Sequence, residues 1–319
     1  MFHGYRGKHS RSSGGERTLL AAGILAALLL TAAAVFLLKG KEPPPDDQGP
    51  VQQVGGSAVI PDGPGEPQTP PEEPDVSPDV SVPEVPAYDF SQPAPEREAM
   101  DNSYFSDAAF VGDSRTDGFM LYSGIGTGKN LTSNGLSVFS LPTKKALTIG
   151  GEKYTLLEAL ALEEYGKVYI SLGVNELGYG NNDRYYEKYS QAVDEIRRLQ
   201  PAAIIYIQGL IPVNEKQLED YNGNKYNLTN EHLRVYNDLM RRVAEEKQVV
   251  YLDLYAEFVD ENGGLPEGVS RDGVHLGKDA CKQWLAYLQT HTVDYDTLYP
   301  DGPPAAEPDT MTDNGSGQA

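Results

Sequence analysis

The sequence predicts an α/β domain built on a parallel sheet with helices over both faces. Two observations carry this reading. Between about residues 98 and 299, short apolar segments rich in β-branched and aromatic residues alternate with longer segments of helical periodicity. Strands separated by helices imply a parallel sheet covered on both sides. In addition, several of the short segments end in glycine followed by polar groups, at the edge where such sheets bind ligands.

The elements follow in order. Residues 108–111 (AAFV) form a short strand that stops at Gly112-Asp113-Ser114. Residues 156–165 (LLEALALEEY) have apolar positions at helical spacing. Residues 167–172 (KVYISL) read as a strand, followed by Gly173-Val174-Asn175-Glu176. An amphipathic helix over 183–199 is stopped by Pro201. Residues 203–208 form a strand, 228–247 a long helix capped by Thr229 or Asn230, and 249–254 another strand. A loop containing Asp272-Gly273-Val274-His275-Leu276-Gly277 then leads to a last helix over 278–290.

The flanks have a different composition. Residues 18–38 are uncharged and apolar, 21 residues long, which suits a helix crossing about 30 Å of hydrocarbon. Arg6, Lys8, Arg11 and Arg17 precede this stretch, and Glu42, Asp46 and Asp47 soon follow it. The charge bias predicts a single-pass cell-membrane protein with residues 1–17 in the cytoplasm and the remainder outside. A cleaved signal peptide ending near Ala32-Ala33-Ala34 is the alternative, but the apolar run continues to Leu38. Residues 39–97 are rich in proline and acid and read as a disordered linker. Residues 300–319 read as a second disordered tail.

The chain of 319 residues carries a net charge of −21, which excludes the basic footprint of a nucleic-acid-binding protein. Its one cysteine, Cys281, excludes an internal disulfide or a cysteine-rich metal site and reads as a core residue beside Ala280 and Trp284.

The strand ends thus collect a hydroxyl, an amide, and an imidazole with a nearby carboxylate. Acyl transfer uses this set. Serine attacks only when a base takes its proton, histidine is that base, and a carboxylate orients the histidine. Ser114 also suits a helix start. Of the five histidines, His3 and His9 precede the apolar run, His232 reads as a solvated helix residue, and His291 ends the last helix. Only His275 has a carboxylate, Asp272, three residues before it in a glycine-flanked loop. Asn175 either holds a turn or donates to an oxyanion. The Ser114 N–H and a glycine after the next strand, Gly135, are the backbone candidates. Gly124, Gly126 and Gly128 compete with Gly135 as turn glycines.

Taken together, residues 105–292 resemble the SGNH hydrolases, also called the GDSL esterase/lipase family. FVGDSRTDG matches the first family block, LGVNE the third and DGVHLG the fifth. The resemblance implies a three-layer α/β/α sandwich with a five-stranded parallel sheet of flavodoxin-like type. It implies Ser114 as nucleophile, His275 as base, Asp272 as its partner, and an oxyanion hole from Ser114, Gly135 and Asn175. No metal or organic cofactor is implied. One departure is Glu176, where the family usually has aspartate. Several tyrosines (Tyr179, Tyr185, Tyr186, Tyr221 and Tyr226) are expected to rim the site and suit sugar faces, while Tyr169, Tyr206 and Tyr251 are expected to pack the sheet. The reading is a membrane-tethered extracellular serine esterase of a bacterial envelope, removing short acyl groups from an ester-bearing small molecule or an acetylated polysaccharide. An O-acyltransferase acting on wall glycan and a non-catalytic glycan-binding module are its rivals.

Overall fold

The computed structural model describes residues 87–305. The expected cytoplasmic segment, membrane span, most of the linker and most of the tail lie outside the described residues. Among the described residues, no helix is long and apolar enough to cross a membrane.

The elements in chain order are β1 (Ala108–Gly112), α1 (Ser114–Tyr122), β2 (Lys129–Thr132), β3 (Leu147–Ile149), β4 (Glu152–Tyr154), α2 (Leu156–Leu160) and β5 (Lys167–Ser171). After a 3-10 turn over Val174–Tyr179 come α3 (Asn182–Leu199), β6 (Ile204–Gln208), α4 (Glu215–Asn222), α5 (Asn230–Lys247), β7 (Val250–Leu252), α6 (Leu254–Phe258), α7 (Lys278–Thr290) and α8 (Tyr295–Leu298). Five strands form one sheet in the order β2-β1-β5-β6-β7, and every neighbouring pair is parallel. Strands β3 and β4 make a separate antiparallel hairpin.

Strand periodicity divides the interior into two cores. From β1, Ala109 and Val111 point to the side packed by Val193 of α3 and Leu233 and Met240 of α5. Ala108 and Phe110 point to the opposite side, with Phe119 of α1 and Trp284 of α7. All five β1 residues are buried, as expected of a strand covered on both faces. The expected sheet tyrosines are in place: the Tyr169 ring stacks between Phe110 and Tyr206 at centroid distances of 4.9 and 4.5 Å, and Tyr251 is buried. Cys281 is buried in the second core, where burial pushes its thiol up to about 11 and leaves it a poor nucleophile.

Several elements differ from the sequence expectation, each for a local reason. The helix expected over 156–165 starts at a capping box formed by Thr155 and Glu158 but ends at Leu160. There the Gln200 amide, arriving from the end of α3, takes the Leu160 and Glu163 carbonyls at 2.8 and 2.9 Å. The strand expected to reach 254 stops at Leu252, because Asp253 accepts from Ala256 N–H and caps α6. Residues 88–97, read as linker, pack on the domain. Ala94 N–H donates to Tyr251 O at 2.9 Å, Phe90 stacks on Tyr299, and Arg97 pairs with Asp294 at 2.9 Å.

Candidate active site

The carboxyl ends of β1 and β5 supply the floor of the site. Gly112 closes β1 in a position where a Cβ would sit 3.0 Å from Ser171 O and still closer to the Thr116 side chain, so no larger residue fits. The chain then turns. Asp113 is extended and accepts Arg115 N–H at 2.9 Å, capping α1 and making Ser114 its first residue. An N–H at this position has no partner within the helix. Ser114 therefore does start a helix, and that placement brings its hydroxyl to the sheet edge.

His275 reaches the same point from the loop before α7. Ser114 Oγ lies 2.9 Å from His275 Nε2, and His275 Nδ1 lies 2.7 Å from Asp272 Oδ2. A carboxylate can only accept, so Nδ1 carries the proton and Nε2 is left to accept from the serine hydroxyl. The three-residue spacing works because Gly273 takes φ +91° and folds the loop back on itself. Asp272 Oδ1 then accepts N–H bonds from Val274 and His275 at 2.9 and 2.8 Å. Partial burial opposes the Asp272 charge, but these bonds and the His275 ring outweigh it and hold the carboxyl below its usual range.

Gly135 and Asn175 lie in the same cavity as Ser114, Asp272 and His275. Asn175 Nδ2 donates to Asp113 Oδ2 at 3.0 Å and to Leu136 O at 2.8 Å. Both amide protons are thus engaged, and a substrate oxyanion would compete with Leu136 O for one of them. The cavity measures about 920 Å³, at the upper end of ligand pockets. One wall comes from residues 218–228, with Tyr221, Lys225 and Tyr226, and Tyr179 contributes from the 3-10 turn. Among the described residues no cluster of three or more His, Cys, Asp or Glu side chains could hold a metal ion.

The model of the GDSL-like Lipase/Acylhydrolase family matches residues 110–309, which include all of these groups. The chain belongs to this family. No curated protein sequence matches the chain. Among solved structures, a platelet activating factor protein from Streptococcus pneumoniae is 20% identical, covering 61% of this chain and 82% of its own with a TM-score of 0.46. A GDSL-like lipase from Bacteroides thetaiotaomicron is 14% identical over 57% of this chain and 86% of its own, TM-score 0.43. An acetyl xylan esterase is 14% identical over 57% of this chain and 96% of its own, TM-score 0.41.

In this GDSL family member, Glu176 is fully buried. Its Oε1 accepts from Val138 N–H, and its Oε2 has no hydrogen-bond partner among the described residues. Burial, with the nearby Asp113 charge, pushes its carboxyl up to about 8. Asp113 is also buried and is pushed up to about 6, despite the Arg115 N–H and the Arg115 and His275 charges. Asp113 and Glu176 tie the three strand-end loops together: one joins Ser114's turn to Asn175, and the other joins Asn175's turn to the segment after Gly135. The sequence reading assigned neither a role. The Asp-to-Glu departure in the third block was the available signal.

Other expectations need correction. His232 is not a solvated helix residue. Its Nδ1 lies 2.6 Å from Leu177 O and its Nε2 2.9 Å from Asn182 Oδ1, so it fastens the Asn175-bearing turn to the start of α3. His291 caps the end of α7 as expected, with Nδ1 2.9 Å from Tyr287 O. Of the five tyrosines expected at the rim, Tyr179, Tyr221 and Tyr226 are exposed and line the cavity. Tyr185 is buried, stacked on Tyr236 at 3.7 Å with its hydroxyl on Leu172 O. Tyr186 turns away toward Glu246 and Arg242.

Proposed function

We propose that this acylhydrolase-family domain is a serine esterase that removes short acyl groups, such as acetyl, from carbohydrate. The observation that carries the reading is the Ser114–His275–Asp272 relay, with links of 2.9 and 2.7 Å, opening into a cavity with exposed tyrosines. Ser114 Oγ attacks the ester carbonyl as His275 Nε2 takes its proton. Asp272 stabilises the resulting imidazolium. The Ser114 N–H, the Gly135 backbone and Asn175 Nδ2 receive the oxyanion. His275 returns the proton to the leaving alcohol, and water then repeats the sequence on the acyl-enzyme, freeing the acid and Ser114. Tyrosine faces suit sugar rings, and the cavity is far larger than an acetyl group requires. In this proposal residues 18–38 anchor the chain in the cell membrane, and the linker holds the catalytic domain outside against an envelope polysaccharide.

The test is hydrolysis of short acyl nitrophenyl esters by the full chain beside its Ser114→Ala form. The substitution should lower kcat by about a millionfold, the scale found when a serine nucleophile is removed. It should also abolish labelling by a serine-directed phosphonate. Equal activity in the two proteins would remove the serine mechanism.

A further inference from the structure

The cavity wall formed by residues 218–228 carries a charge that acyl hydrolysis does not use. Lys225 is exposed and is the one lysine or arginine among the residues lining the cavity. Its Nζ lies 4.8 Å from the Tyr226 ring centroid, and no carboxylate is within ion-pair reach among the described residues. Elsewhere Lys129, Lys145, Lys167, Lys247 and Lys282 each pair with an acid, while Lys144, Lys153, Lys188, Lys216 and Lys278 form no ion pair among the described residues; Lys225 differs from these by lining the cavity. The cavity's one carboxylate, Asp272, is already committed to His275.

The loop that presents Lys225 is built rather than slack. The Asn224 side chain closes it by accepting Leu228 N–H and donating to Leu228 O, both at 3.0 Å. Asn224 and Asn227 take left-handed φ values of 41° and 50°, which asparagine tolerates better than most residues. The loop also docks on the turn that bears Asn175: a Cβ on Gly178 would lie 2.8 Å from Tyr226 O. Glycine there lets the two backbones meet, so the cation is held against the same element that supplies the oxyanion amide.

We infer that Lys225 is a specificity residue that binds a carboxylate on the substrate, and that the substrate is an acylated saccharide whose acylated sugar also bears an acidic group. This rests on the esterase reading above. An acidic protein repels such a substrate at long range. A fixed cation beside Tyr226 offsets that repulsion only for a substrate whose acid falls at the right place. The tyrosine face keeps the ammonium oriented without neutralising it.

The experiment compares two acetylated sugars that differ only by a carboxylate-bearing ether: 6-O-acetyl-N-acetylmuramic acid and 6-O-acetyl-N-acetylglucosamine. Both are assayed with the full-length wild-type chain, Lys225→Gln and Lys225→Arg. Lys225→Gln should lower the ratio of kcat/KM for the acidic over the neutral sugar three- to tenfold, about 0.7–1.4 kcal/mol at 1.4 kcal/mol per decade. The change should fall on KM, fade in 0.5 M salt, and be restored by arginine. A ratio unchanged by Lys225→Gln, or an equal loss on both sugars, overturns the inference. Binding of the two deacetylated sugars to the Ser114→Ala chain reads the same preference without turnover. It therefore separates failure of Lys225 from failure of the esterase reading, which the nitrophenyl ester alone decides.

Discussion

Two kinds of carboxyl group surround Ser114, and they differ by placement rather than chemistry. Asp272 lies in a partly open loop where three donors converge on it, and it is held charged. Asp113, at the end of β1, and Glu176, in the 3-10 turn after β5, are buried and pushed up to about 6 and about 8. In the proposed mechanism the open carboxylate answers the charge that forms on His275. The buried ones have no such freedom and serve to hold loops. The same functional group thus takes two roles, assigned by solvent and by the count of donors.

The contrast is broken most directly at Asp272. Asp272→Asn keeps the shape but lets Nδ1 meet a donor and favours the wrong imidazole tautomer. The expected loss in kcat on a nitrophenyl ester at pH 7 is about 10⁴-fold, and a loss below tenfold would mean the charge is not used. Asp113→Asn should cost less, about ten- to a hundredfold. Its two oxygens accept from Arg115 N–H and Asn175 Nδ2, so an amide turned either way leaves one buried donor facing another, at about 1–3 kcal/mol. Both activity and thermal midpoint should fall.

Glu176→Gln should have the smallest effect at neutral pH, because an amide still accepts from Val138 N–H. Its signature is in the pH dependence. A carboxyl raised from 4.5 to about 8 in the fold contributes stability that is fully present below 4.5 and lost as pH rises through about 8. Asp113 shares this sign, lost through about 6. Asp272 has the opposite sign: its contribution is present above 3.8 and lost as pH falls through its lowered value. The groups around Glu176 are Asp113 and the hydroxyls of Tyr185, Tyr189 and Tyr236, none of which relieves a negative charge there. The wild-type thermal midpoint should therefore fall relative to that of Glu176→Gln as pH rises from about 5 to about 8, and the two should run parallel above that. Parallel curves from about pH 5 to 8 would show that Glu176 is ionised throughout that range.

The contrast also explains what was legible beforehand. That Ser114, Asp272 and His275 come together could be read beforehand because strand ends and glycine-flanked loops leave a mark in sequence, and because acyl transfer admits few residue types. The main-sheet strands that could be delimited were those buried on both faces. β2 (KNLT) has one buried residue, Leu131, and carries no apolar pattern. Orientation was harder. Tyr185 and Tyr221 look alike as residues, but Tyr185 shares a face with Tyr189, Ala192, Val193 and Ile196, a helical stripe that predicts burial. Glu176 had no such stripe, since a six-residue 3-10 turn is too short to show one. Its burial follows from how three loops converge, which depends on the whole sheet.

The residues that enter the domain from the linker have a consequence of their own. β7 is the last strand of the sheet, and a bare edge offers unpaired N–H and C=O groups to any other strand. Pro93 bridges to Tyr251, and Ala94 donates to its carbonyl. The seal cannot itself be extended into a longer sheet at Pro93 or Pro95, because neither proline has an N–H to give. A chain beginning at residue 98 should therefore self-associate with rising concentration in size-exclusion chromatography, whereas one beginning at residue 87 should elute as a single species. The stretch that composition marks as a tether ends as a stopper against edge-to-edge aggregation.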